Sequence, residues 1–211
     1  MPKFSTKCRQ CSRLADFLAQ VKQDFPDYYA KPVPAFGDND PHLLIVGLAP
    51  GLHGANRTGR PFTGDHAGIL LYQTLHKYGF SNAPVSESFR DGLQLLNCRI
   101  TNAVKCLPPQ NKPIGSEVQN CNSYLNDEIQ QLEQGSMILA LGTLAHNAVI
   151  RAMALKQKDY PFGHERLHSL PMGYALLDSY HCSRYNTQTK RLTEDMFHQV
   201  FAKARQWVDA H

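Results

Sequence analysis

Nothing in this 211-residue sequence approaches the ~20 consecutive apolar residues that a membrane-spanning helix requires. The longest weakly polar run, 137–150, is interrupted by Thr143, His146 and Asn147. The opening MPKFSTKCRQC lacks the apolar core of a secretory signal, so a cytoplasmic protein is expected. Six cysteines are too few for a disulfide scaffold; in this setting they read as metal ligands or reactive thiols. Charge of one sign is not in large excess either. Twenty-two basic against 18 acidic residues leave +4, which permits a polyanionic partner without establishing one. There is no internal repeat, no low-complexity tract and no GxxxxGK[ST] to place a P-loop lysine.

What is there describes a globular chain. Hydrophobic residues make up 42% and charged residues 19%, and the length suits one domain over 1–211 with a substantial core. Residues 9–25 carry Cys11, Leu14, Phe17, Leu18, Val21 and Phe25 at helical spacing, and Pro26 ends the pattern. The proline-rich stretch 26–42 reads as an extended connection whose Tyr28, Tyr29, Val33 and Phe36 want burial. Buried strands are expected at 43–46, 97–105, 137–141 and 174–180. Helices are expected over 66–78, from a capping box at Ser116 and Gln119, over 142–155, and from Thr193 onward. A long loop covers 47–65. Strands alternating with helices predict an α/β three-layer sandwich with a mostly parallel sheet.

Ligands bind such sheets beyond the carboxyl ends of the strands. That singles out loop 47–65, the Asn102 region and His181, each of which follows an expected strand. The cysteines give a second signal. Cys8 and Cys11 form one CxxC, and Cys106 and Cys121 are spaced C-x14-C. Four thiolates suit zinc or an iron–sulfur cluster, and spacing does not separate the two from each other or from idle thiols. Cys98 reads as a core residue.

Three segments, GLAPGLHGANRTGRPFTGD, TNAVKCLPPQNKP and SYHCSRYNTQTKRLT, occur in that order. With the opening CRQCSRL they closely resemble the uracil-DNA glycosylase superfamily, most nearly its class B (family 5) branch. The resemblance spans nearly the whole chain. It implies a central four-stranded parallel sheet flanked by helices. It also implies a [4Fe–4S] cluster held by Cys8, Cys11, Cys106 and Cys121. The activity implied is excision of deaminated bases from DNA, with hypoxanthine among the substrates beside uracil. Two positions depart from the pattern: Cys182 stands where proline is common, and Gly51 where alanine is common.

Cleaving an N-glycosidic bond leaves an anionic base and an oxocarbenium-like sugar. The site therefore needs donors for the base, a carboxylate or polar group for the sugar or water, and a pocket for a base taken out of the stack. By resemblance Asn102 reads the base edge, Phe62 stacks on it and His181 donates to the leaving base. Gly47 and Ala49 join the substrate site. The early part of the first motif, LAPGLHG, holds no carboxylate or Asn, so the resemblance implies that Asp65 activates water, with Asn56 or His53 assisting. Each residue also has a plain structural reading: Asp65 as a helix N-cap, Asn102 as a strand-end hydrogen bonder, Phe62 as core, His181 as a surface or structural histidine. No lysine nucleophile is required, so neither a Schiff base nor strand cleavage is expected.

DNA contacts are expected from backbone at Gly51, Gly54, Gly59 and Gly64 and from Arg57, Arg60, Ser183, Arg184, Asn186, Lys190 and Arg191. Arg184 or Tyr185 would act as a wedge in the duplex. The expected unit is a monomer. Two other readings are a nucleotide-phosphate hydrolase or transferase, and a non-catalytic cluster-bearing DNA-binding or redox-sensing module.

Overall fold

The computed structural model describes residues 4–211. Residues 1–3, which begin the stretch read above for a signal core, lie outside the described residues. The sheet is built on the continuous apolar runs, because strands covered on both faces need no polar alternation. β2 (Leu43–Gly47), β3 (Cys98–Asn102), β4 (Met137–Leu141) and β6 (Ala175–Ser179) are parallel, in the order β3-β2-β4-β6. This is the expected four-stranded core. Two short antiparallel strands extend it at the edges, β1 (Phe36–Gly37) beside β3 and β5 (Leu167–Ser169) beside β6. The sheet therefore has six strands, because the extended proline-rich segment and the return before β6 each add an edge too short to show periodicity.

One face packs on α3 (His66–Lys77) and α7 (Glu194–Ala210), through Ile45, Ile100, Leu139 and Leu177 against Leu71, Leu75, Phe197 and Phe201. The other packs on α4 (Gly115–Gln130) and α5 (Thr143–Ala152), through Leu44, Val46, Ile138 and Leu176. α1 (Ser12–Asp24) stands apart from the sheet and buries Leu14, Leu18 and Val21 against Val104, Leu107 and Tyr124. Two short α-helices lie in connections, α2 (Ala55–Thr58) inside the expected long loop and α6 (Arg184–Gln188) after His181.

The start of α4 differs from expectation. It begins at Gly115, and Glu117, not Gln119, takes the backbone N–H of Ile114 at 2.9 Å. Glu117 is selected by a partner distant in sequence: the Arg13 guanidinium meets its carboxylate at 2.7 and 2.8 Å and holds its pKa down despite burial. Arg13 also donates to the Lys112 carbonyl at 3.2 Å, tying α1 to the turn ahead of α4.

Candidate active site

The strand order reverses direction at β2, where β3 lies on one side and β4 on the other. Such switch points open a crevice beyond the carboxyl ends. A cavity of about 240 Å³ occupies this crevice, lined by Ala49, Phe62, Asp65, Asn102, Asn111 and His181. The four residues singled out for chemistry, from three separate segments, thus meet in one cavity.

Absent side chains shape it. A Cβ on Gly47 would stand 2.4 Å from Asn102 Oδ1 and 2.7 Å from the Phe62 ring. Bare backbone at the end of β2 is what lets the amide and the ring approach. Phe62 carries a φ of +53°, a left-handed conformation that costs a non-glycine residue free energy. Its surroundings impose it: the buried Tyr72 hydroxyl donates to the Pro61 carbonyl at 2.8 Å. The Phe62 carbonyl sits where a Cβ on Gly68 would be, 1.8 Å away. The Phe62 ring is buried and stacks near the His181 ring, centroids 5.9 Å apart at 28°.

Asp65 divides its two oxygens. Oδ1 accepts from the Gly68 N–H at 2.9 Å and caps α3. Oδ2 turns toward Gly51 and Gly54; a Cβ on Gly54 would lie 2.5 Å from it. Burial raises the carboxyl's pKa, opposed by the N–H groups at the start of α3 and by His66. His181 is pushed down to about 4 by burial alone, so it is a neutral imidazole at neutral pH. Its loop is fixed from outside the cavity: Asn186 Nδ2 donates to the His181 carbonyl at 2.8 Å, and Ser183 caps α6.

The expected DNA-contacting set divides. Arg57 and Arg184 are exposed, and Arg184 borders a groove of about 480 Å³ that continues from the cavity past Phe62, Asp65, Ile69 and Val85. Tyr185 is exposed at the start of α6, Ser183 lines the cavity, and Lys190 and Arg191 are exposed. Arg60 has to be removed from the set. It is buried, bonds Asp91 at 2.8 and 2.9 Å and Ser86 at 3.0 Å, and stacks on Phe36. It pins the loop before β3 and does not face a phosphate. Asn186 spends its amide on His181. Asn56 is buried outside the cavity lining, with neither side-chain polar atom hydrogen-bonded. His53 is exposed and bonds the Tyr28 hydroxyl at 2.8 Å.

Asn111 is the cavity residue that sequence reasoning missed. It follows two prolines, and both Gln110 and Asn111 have φ near +57° (56° and 57°), which turns Asn111 onto the cavity rim. The PPQN run was visible as a turn, since Asn tolerates this conformation, but its destination depends on the fold.

Cys8, Cys11, Cys106 and Cys121 come together in the apolar cluster under α1, and the described cysteines form no disulfide. The donor set fits a thiolate-ligated cluster. Tyr124 OH donates to Cys8 Sγ at 3.5 Å and Asn120 Nδ2 to Cys11 Sγ at 3.4 Å, bonds of the kind that tune cluster sulfurs. Burial, with the neighbouring cysteines adding to it, pushes Cys106 up to about 12 and Cys121 to about 11. As thiolates, four such groups would need a cation among them.

The family model described as the uracil DNA glycosylase superfamily matches residues 34–205. Among curated proteins, the chain is 44% identical over 205 residues to a type-5 uracil-DNA glycosylase of Thermus thermophilus, covering 95% of this chain and 93% of that one. It is 38% identical to the type-5 enzyme of Pyrobaculum aerophilum, covering 93% and 87%. A type-4 uracil-DNA glycosylase of the same organism is 35% identical over only 60% of the chain. Among solved structures, SMUG2 of Pedobacter heparinus shares the fold, with a TM-score of 0.52 at 12% identity over 93% of this chain and 85% of that one.

Proposed function

The chain belongs to the uracil DNA glycosylase superfamily, and on that premise we propose that it excises uracil from DNA by hydrolysing the N-glycosyl bond. The observation that carries the reading is the meeting of Asn102, Phe62, Asp65 and His181 in one base-sized cavity at the strand carboxyl ends. The target nucleotide leaves the helix stack and its base enters that cavity, against the Phe62 ring. Asn102 reads the base edge with its amide. As the C1′–N1 bond breaks, negative charge gathers on the base, and a neutral His181 N–H donates to it. A neutral donor suits an anion that leaves without first being protonated.

Asp65 Oδ2 accepts a proton from the water that adds to C1′, and its negative charge stabilises the sugar cation. The products are the free base and an abasic site with its phosphodiesters intact. Hypoxanthine is a further substrate in this reading, since an amide that rotates presents either hydrogen-bonding pattern. Arg57, Arg184 and the exposed α6 engage the duplex along the groove, with Tyr185 or Arg184 in the vacated space.

Cys8, Cys11, Cys106 and Cys121 would hold the [4Fe–4S] cluster. When bound, the cluster would supply a structural cross-link, a cation joining thiolates from the segment that leads into α1, the β3 exit and α4 into one unit. Residues from all three regions pack together in one apolar cluster. No helix among the described residues is long and apolar enough to cross a membrane.

End-labelled oligonucleotides carrying uracil, hypoxanthine, xanthine or thymine opposite each normal base test the reading. Alkali-dependent cleavage at uracil, weakened in Asp65→Asn and Asn102→Ala, supports it and ranks the substrates. DNA binding without release of any base by cluster-loaded protein favours the non-catalytic module.

A further inference from the structure

On the far side of β6 from α7, a second group of titratable residues is buried outside the cavity. His146 on α5 places Nδ1 2.7 Å from Asp178 Oδ1 and Nε2 2.8 Å from the Tyr160 carbonyl. A carbonyl oxygen only accepts. Asp178 Oδ2 takes the Gly163 N–H at 3.3 Å and faces His168 Nε2 at 3.3 Å. Nε2 therefore donates, and where Asp178 Oδ1 accepts, Nδ1 donates too and the ring is an imidazolium. Burial opposes the charge, but the hydrogen bond and attraction of Asp178 prevail and raise the pKa. The groups facing the ring are Asp178 from β6, His168 from β5, and Tyr160 and Phe162 from loop 160–166. Of the charged loop residues, Glu165 pairs with Lys203 at 2.9 Å and Arg166 donates to the Pro161 carbonyl at 3.0 Å.

This network leads to His181. The Asp178 backbone bonds loop 160–166 on both sides, accepting from Glu165 N at 2.7 Å and donating to Arg166 O at 2.9 Å. Immediately before these anchors lies His164, whose Nδ1 accepts the Tyr180 N–H at 3.1 Å and whose ring stacks on Tyr180 at 4.8 Å and 12°. Tyr180 immediately precedes His181. His146 also donates its backbone N–H to Gly142, whose missing Cβ would stand 3.4 Å from the His181 Cβ.

We propose that His146 and Asp178 form a buried imidazolium–carboxylate clamp that positions His181, acting through loop 160–166 and Tyr180. The inference rests on the role given to His181 above. The three ligand-capable atoms lie within 4.8 Å of one another, so a metal ion is the competing occupant. The geometry favours a proton: tetrahedral ligands about 2.0–2.1 Å from zinc stand roughly 3.3 Å apart, farther than the observed 2.7 Å contact.

The test compares single-turnover and steady-state kinetics of cluster-loaded wild type, Asp178→Asn, His146→Gln and His181→Ala on uracil-containing duplex. Asp178→Asn is expected to lose roughly ten- to hundredfold in kcat with KM nearly unchanged, because a misplaced donor is felt in the transition state. Deprotonation of His146 would give the wild type an alkaline limb, and in Asp178→Asn that limb moves to lower pH, because the imidazolium loses its counter-charge. A folded Asp178→Asn enzyme with wild-type kcat and pH profile, beside an impaired His181→Ala enzyme, overturns the clamp alone. A fully active His181→Ala enzyme overturns it together with the role on which it rests. Nitrogen-15 NMR of the wild type decides even where variants fail to fold: two protonated ring nitrogens on His146 at pH 7 support the clamp, and one overturns it. Zinc bound at one per chain and lost in His168→Ala overturns it too.

Discussion

Asp65 lies so close to Gly54 that a Cβ placed on the glycine would stand 2.5 Å from Oδ2, 2.8 Å from Cβ and 3.0 Å from Cγ of the aspartate. The carboxylate fits only because a hydrogen is there. Gly54→Ala is therefore expected to push Asp65 off its position, lowering kcat by tenfold or more while KM for uracil-containing DNA changes little. An alanine enzyme with wild-type kcat would show that Oδ2 needs no fixed position.

Asp65 also predicts the pH dependence. In the proposed mechanism its active form is the carboxylate, and burial raises its pKa, so the acid limb of kcat/KM is expected above the ordinary carboxylate value near 3.9. His181 is already neutral above about 4 and adds no limb at higher pH. The folded protein binds this proton more tightly than the unfolded chain, so the residue's contribution to stability falls as pH rises from the unfolded to the folded pKa. Asp65→Asn is expected to lose most activity and the acid limb while raising Tm at pH 7, since Asn still caps α3. Melting curves beside rate profiles check both halves.

Arginines in the motif loops should separate by salt dependence. Arg57→Ala and Arg184→Ala each reduce the slope of log affinity against log salt by about one if each neutralises a phosphate. Arg60→Met leaves the slope unchanged and lowers Tm, because it removes the pin on Asp91 and Ser86. Binding titrations at four salt concentrations distinguish the two patterns.

The cysteine site predicts a stability effect separated from chemistry. Cys8→Ser is expected to reduce iron below the roughly four atoms per chain of a full cluster, lower Tm and expose α1 to protease. The fraction that stays folded keeps a kcat close to wild type, because the cavity is lined by other segments. Unchanged iron content and Tm would remove these cysteines from the site.

Much of this architecture was legible in the chain. The continuous runs at 43–46 and 137–141 read as buried strands, and the stripe from Met196 to Val208 as a helix face, and the structure has both. What escaped depended on distant partners. Glu117 displaced Gln119 at the α4 cap because Arg13 lies across from it, 104 residues earlier. Arg60 looked like a phosphate ligand because neither Asp91 nor Phe36 is near it in sequence. Asn111 reached the cavity through two successive left-handed residues, and the His146–Asp178 contact spans 32 residues between a helix and a strand. Sequence spacing carries periodicity; it does not carry which side chains meet across layers.

The four clustered cysteines also bear on the order of assembly. The last of them is Cys121, ahead of β4, β6 and His181 in the chain. On the ribosome, every sulfur is therefore synthesised before half of the parallel sheet exists. In the proposed cluster-bearing protein, iron could be loaded, and α1 fastened to α4, while His181 is still untranslated.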